Sequence, residues 1–276
     1  AKQLSSVSGY SLPGVMEDCQ IHPSLYPLQS DGKTLREIAQ KLISGVFPFK
    51  IEIDPSVASK MNEVYEKTTA SETQTVKAYL SGLAAQKNII LSHTEKGNLL
   101  FTKAKTDQKP FWHFDGGMSN VEMILKFNGQ GLHSKITVMK QADKDGGNAG
   151  QHEIKNPFVP FVFRPSVKTQ NSGTDVDTVD AAQNALGAEL KNIVLTIKIN
   201  FWEIDGELLR PNTTLTVINK ELYIYKKVKW FVESVSFSGD EKQNTSTLTC
   251  VLPEVYNGQT PEYFFKFDDP EEIHLQ

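Results

Sequence analysis

Residues 193–202 constrain this chain more than any other stretch: Ile193, Leu195, Ile197, Ile199 and Phe201 alternate with Val194, Thr196, Lys198, Asn200 and Trp202. An apolar residue at every second position fits an extended strand, because successive side chains point to opposite faces of a sheet. Such a strand needs neighbours for its backbone, and apolar runs at 215–218, 222–225, 230–237 and 245–252 supply them. Val121, Met123, Leu125 and Phe127 alternate up to Asn128-Gly129, and Ile136 and Val138 alternate beyond it, so a hairpin is expected across that pair. About six strands result, enough to close an antiparallel barrel.

The N-terminal third has a different period. Thr34 and Glu37 form a capping box, and Leu35, Ile38, Ala39 and Leu42 recur at helical spacing until Ser44-Gly45. Phe49, Ile51 and Ile53 then read as a strand closed by Asp54-Pro55. Ser71 and Gln74 give a second capping box, opening a helix with Val76, Leu80, Leu83 and Ala84 on one face, which Asn88 ends in the left-handed region. Residues 89–92 and 99–102 flank Glu95-Lys96-Gly97-Asn98 as a hairpin. The expected fold class is α+β: a small α/β domain at 33–105, then an antiparallel β-barrel at 106–256, with 257–276 a charged tail.

Two polar stretches, 141–151 and 167–177, read as exposed loops. Between them Phe158, Phe161 and Phe163 form an apolar comb on one side of a strand. That comb either covers the barrel's own end or lies at an interface. A helix at 179–190, capped by Asp177, leads into Ile193.

Chemical motifs are weak throughout. A net charge of -4, from 29 Lys and Arg against 33 Asp and Glu, offers no broad electrostatic basis for nucleic-acid binding. No apolar run reaches the roughly 18 residues of a membrane span. Cys19 and Cys250 lie far apart and read as two buried, inert thiols. The stretch from Asp143 to Asn148 departs from a calcium loop, having Gly146 at its fourth position and Ile154 at its twelfth. His113 and Asp115 lack a third ligand nearby and read better as a packed aromatic strand edge with Trp112 and Phe114. His22, His93, His133, His152 and His274 are scattered singly, the pairs Asp268-Asp269 and Glu271-Glu272 sit in the charged tail, and Gly116-Gly117 lacks the lysine of a phosphate loop. No catalytic, cofactor-binding or metal-binding residue is assigned, and an enzyme is not expected.

Several landmarks in order carry a family resemblance. Gly9 followed by Met16-Glu17-Asp18-Cys19 resembles a Gly-to-Asp-Cys segment that closes a first barrel, and Thr34-Leu35 with Ile38-Ala39 resembles the start of the helix after it. Residues 75–102 resemble a helix and hairpin ending in a Gly-Asn-Leu strand, and Phe163-Arg164-Pro165 an aromatic-Arg-Pro element. Further landmarks are Phe201-Trp202, Leu209-Arg210-Pro211-Asn212-Thr213, Val235-Ser236-Phe237-Ser238 with Asp240, and the run from Thr247 to Tyr256. Together they resemble the hub protein of Mu-like phage baseplates, related to the hubs of larger contractile phages and of type VI secretion.

That resemblance implies a structural component of a contractile phage tail, located in the virion baseplate and assembled in the bacterial host's cytoplasm. Three copies would form a ring, a homotrimer joining the tail tube protein to the central spike protein, with other baseplate proteins around it. Phe158, Phe161 and Phe163 are its interface candidates, with no cofactor, no nucleic-acid sequence recognition and no membrane span. The family's first barrel would precede Gly9, so residues 1–32 read as its remnant and linker, the chain as part of a longer protein, and 106–256 as the second barrel with a long polar insertion. The alternative is a tail-associated cell-envelope-binding or glycan- or peptidoglycan-degrading component, marked by a cleft with two carboxylates. A carbohydrate-binding domain would instead need Trp112, Trp202 and Trp230 exposed on a platform, against the core roles that tryptophan usually takes.

Overall fold

The computed structural model describes residues 9, 11–26, 28–66, 68–71, 73–140, 150–160, 162–170, 178–239 and 243–265. The chain divides into two compact units, Ala1–Ala104 and Lys105–Gln276.

In the first unit, α1 (Leu35–Ile43) begins at the expected capping box: Thr34 Oγ1 accepts from the Glu37 N–H, and the Glu37 carboxylate accepts the Thr34 N–H at 2.9 Å. β1 (Ile51–Ile53), α2 (Val76–Gln86), β2 (Ile90–His93) and β3 (Leu99–Thr102) follow. The β2–β3 hairpin forms as expected, with Gly97 at φ 75° in its turn, and β1 joins β3 in parallel. Asn88 follows α2 in the left-handed region, at φ 55°. The start of α2 differs from expectation, because Thr75 caps it and Ser71 does not. The Ile21 N–H donates to the Gln74 carbonyl and the Val76 N–H to the Cys19 carbonyl, so residues 74–76 are held against residues 19–21 and the helix begins only at Val76. Leu35, Ile38, Ala39 and Leu42 of α1 meet Leu80, Leu83 and Phe101 in this unit's core.

The second unit runs through β4 (His113–Asp115), β5 (Val121–Phe127), β6 (Lys135–Lys140), β7 (Gln151–Lys155), β8 (Pro165–Gln170), α3 (Thr178–Leu190), β9 (Ile193–Ile199), β10 (Glu203–Ile204), β11 (Glu207–Leu208), β12 (Thr213–Asn219), β13 (Ile224–Gly239), β14 (Asn244–Val251) and the single turn α4 (Glu254–Asn257). Six strands form one curled sheet in the order β4-β12-β13-β14-β9-β5, antiparallel except for the β4–β12 pair. β7-β6-β8 form a second, mixed sheet, and α3 packs against β6 and β7. The inward row of β9, Ile193 to Ile199, is completely buried with Ala182, Leu186 and Leu190 of α3, Ile136 and Val138 of β6, and Leu248 of β14.

Several expectations are corrected. Among the described residues the six-stranded ladder ends at β4 and β5, so the strands make an open sheet plus a second sheet, and no hydrogen-bonded ring closes. Asn128-Gly129 does not join β5 to β6 as a hairpin: β5 pairs with β9, β6 belongs to the other sheet, and Asn128 at φ -101° lacks the left-handed backbone a two-residue turn demands. The runs at 222–225 and 230–237 share one strand from Ile224 onward, because β12 pairs with it from Val232 to Val228 and, past a register shift, again at Ile224. Residues 167–170 are not loop but part of β8, in register with Thr137 to Lys140 of β6. Within the expected tail, Phe264 and Phe265 are core residues, and Phe265 bridges to Ile224.

Candidate interaction surface

The aromatic stretch before β8 is not a strand with a comb of rings; it is a run of turns. Phe158 points inward, only 6% exposed, with its ring centroid 5.3 Å from Phe264, 5.7 Å from Phe265 and 5.8 Å from Tyr263. Phe163 points outward and is 88% exposed, with exposed Val162 beside it. Phe161 lies outside the described residues. A turn reverses side-chain direction irregularly where a strand alternates it, which is why one of these rings seals the core and another stands in solvent.

Arg164, the next residue, fixes the backbone beside Phe163. Its Nη1 donates to the carbonyls of Gly129 and Leu132 at 3.0 and 3.1 Å, and its Nη2 to the Gln130 carbonyl at 2.7 Å. Its backbone N–H donates to Ser134 Oγ at 2.9 Å, and its carbonyl accepts the Ser134 N–H. The planar guanidinium therefore closes the 129–132 turn as a fork, a geometry one ammonium cannot reproduce. The same turn is tied to α3: the buried Glu189 carboxylate accepts the His133 N–H, lies 2.9 Å from His133 Nδ1, and faces Lys168 Nζ of β8 at 3.7 Å. Asn192, just ahead of β9, donates to the Gly131 carbonyl.

At the other end of β9 the chain forms a short hairpin, β10–β11, through Asp205 at φ 53° and Gly206 at φ 79°. The Leu209 N–H donates to the Trp202 carbonyl and anchors its base. A groove of about 300 Å³ lies beside it, lined by Phe111, Ile204, Asp205, Glu207, Leu208, Leu209, Arg210 and Thr213. Phe111 and Leu208 are 37% and 44% exposed, whereas Ile204 and Leu209 form the buried floor. Sequence reasoning passed over this groove, although Asp-Gly between Ile204 and Glu207 is the hairpin signal that could have marked it.

The remaining sequence candidates have structural partners. His113 Nδ1 lies 2.9 Å from Thr216 Oγ1, Asp115 accepts the Gly117 N–H at 2.8 Å, and Phe114 between them is fully buried on edge strand β4. Among the described residues no three His, Cys, Asp or Glu side chains group as a metal site. Asp143 to Asn148, Asp268-Asp269, Glu271-Glu272 and the proposed cap Asp177 lie outside the described residues. Cys250 is buried and its thiol pKa is pushed up by that burial, while Cys19, expected buried, is half-exposed. Trp230 is fully buried, Trp112 packs partly buried against the same core, and the Trp202 indole donates to the Ser238 and Thr245 carbonyls at 3.1 Å, so the three form no exposed platform. No described helix is long and apolar enough to cross a membrane.

No protein-family model matches the chain, and no curated protein does. Its fold is similar to solved tail proteins. The 43 kDa tail protein of prophage MuSo2 from Shewanella oneidensis matches with a TM-score of 0.68 and 21% identity over 88% of this chain and 72% of that one. The tail protein from Neisseria meningitidis MC58 matches with a TM-score of 0.70 and 18% identity, over 89% and 73%. Prophage tail protein gp18 from Listeria monocytogenes EGD-e is more distant, with a TM-score of 0.52 and 14% identity over 85% and 69%. At these identities the likeness is one of fold.

Proposed function

We propose that this chain is a structural baseplate hub component of a contractile phage tail, and that three copies of its parent protein form a ring joining the tail tube to the central spike. The observation that carries this reading is the fold shared with two tail proteins over 88% and 89% of the chain. On this reading Lys105–Gln276 corresponds to the second hub barrel and Ala1–Ala104 contains the small α/β domain that follows the first. The location is the virion's tail baseplate, assembled in the host cytoplasm, and the partners are the tube, spike and neighbouring baseplate proteins. Exposed Phe163 supports an interface, whereas Phe158 is withdrawn into the chain's own core and leaves the set of interface candidates.

Sedimentation of the parent protein tests the ring, with a trimer as the expected result and a stable dimer or tetramer as the result that overturns it. This chain alone, carrying part of the interface, is expected to be monomeric or weakly associating, since half of a standard interface of about 1,600 Å² falls to the area of weak contacts. No catalysis is expected. Asp205 and Glu207 in the groove are the carboxylates a hydrolase would use, so peptidoglycan or glycan turnover lost in Asp205→Asn or Glu207→Gln would favour the degrading alternative.

A further inference from the structure

We propose that Phe163 of one copy seats in the groove beside Leu208 of the next, making a head-to-tail contact between copies of this chain. The inference rests on the ring reading for the number of copies, but its residues come from the geometry of one unit. Phe163 belongs to the Arg164 clamp on the 129–132 turn, which Asn192 ties to the start of β9. The groove belongs to the hairpin that follows the end of β9, anchored at Trp202. Seven residues of strand separate them, about 20 Å at 3.3 Å per residue. A copy therefore cannot fill its own groove with its own Phe163, and each copy carries one knob and one hole.

Size and charge fit the pairing. An apolar cavity of about 150 Å³ accepts a benzene ring, so a groove of about 300 Å³ has room for the phenylalanine ring with Val162 at its mouth. The knob sits beside Arg164, whose guanidinium donates to three carbonyl oxygens and to no carboxylate among the described residues. The groove presents Asp205 and Glu207 against the single cation Arg210, a net negative lining. The clamp fixes the backbone next to Phe163, so docking has to order little beyond the ring itself, which favours it as a central anchor. Because the two surfaces differ, the contact is heterologous, and it closes into a ring only when the rotation between copies permits.

Disulfide trapping tests it. In a Cys19→Ser background, Phe163→Cys and Leu208→Cys variants of this chain are oxidised separately and as a mixture, at concentrations high enough to populate weak association. The mixture should give a linked species of twice the chain mass, while each variant alone should not. Carrying both substitutions, one chain should give a ladder that stops at three. Phe163→Ser should weaken self-association roughly thirtyfold, as expected for a central anchor. The proposal is overturned if the mixture gives no more product than Phe163→Cys with Tyr225→Cys, an exposed control position. Self-linking of Phe163→Cys alone overturns it as well, since that reports a like-to-like contact. A ladder that stops at two keeps the Phe163 contact and removes the three-copy ring, so the two ideas fail separately.

Discussion

Trp230 lies at the centre of the second unit with its indole N–H buried and without a hydrogen-bond partner among the described residues. An unmade bond of this kind costs about 1–3 kcal/mol, which a phenylalanine at the same place would not incur. Trp230→Phe is therefore expected to change stability by less than about 1.5 kcal/mol, because relief of the orphaned donor offsets the lost ring volume. Trp230→Ala should cost about 3–5 kcal/mol. Urea unfolding followed by the fluorescence of Trp112 and Trp202 compares them, and equal losses would show that the indole N–H is satisfied in solution. At the start of α1, Thr34→Ala is expected to cost about 1 kcal/mol in the same measurement. Glu37 there has its carboxyl pKa lowered, first by the Thr34 backbone N–H and then by its hydroxyl. A lowered pKa in the folded state means that the contribution is present above the ordinary carboxylate range and is lost as pH falls through the folded value. Glu37→Gln should accordingly flatten the acid limb of the stability profile, and an unchanged limb would remove Glu37 from that account.

The segment from Asn156 to Pro165 shows how one element serves two ends. Its Phe158 is covered by Phe264 and Phe265 from the far end of the chain, and its Phe163 is covered by nothing described. Phe158→Ala should therefore cost about 3–5 kcal/mol, while Phe163→Ala should stay within about 0.5 kcal/mol in the monomer. Denaturant titration of both variants checks the split, and similar losses would put Phe163 in a core. The sequence showed that these rings need a surface but not which surface, because that depends on Phe264 and Phe265 about a hundred residues away. The element boundaries that were legible were local ones: the Thr34 cap, the β2–β3 hairpin, and the alternation of β9. The misread ones failed where distant backbone intervened, as at Thr75, whose neighbours bond residues 19–21.

At the level of the molecule, each unit has its own core, one around Leu80 and Phe101 and the other around Leu195 and its neighbours in the β9 row, Ile193 and Ile197. Leu80→Ala and Leu248→Ala are each expected to cost about 2–5 kcal/mol, and each should lower amide protection chiefly within its own unit. Hydrogen exchange resolved along the chain measures this, and a uniform loss over both units would mean that they unfold as one.

What the sequence determined by itself is the local grammar: where α1 starts, where the hairpin turns, which residues of β9 face inward, and that the second unit is built of strands. Those features depend on residues two to four positions apart, whose hydrogen bonds and side-chain directions follow from backbone geometry alone. Only the tertiary structure decided that β5 pairs with β9 instead of β6, that the strands divide into an open six-stranded sheet and a second sheet of three, and that Phe158 turns inward while Phe163 turns out. A strand's alternation says which face is apolar and nothing about the partner at its edge, since backbone donors and acceptors are the same for every residue except proline. Partner choice follows from packing between segments such as β5 and β9, which are separated by more than sixty positions and meet only when the chain has folded.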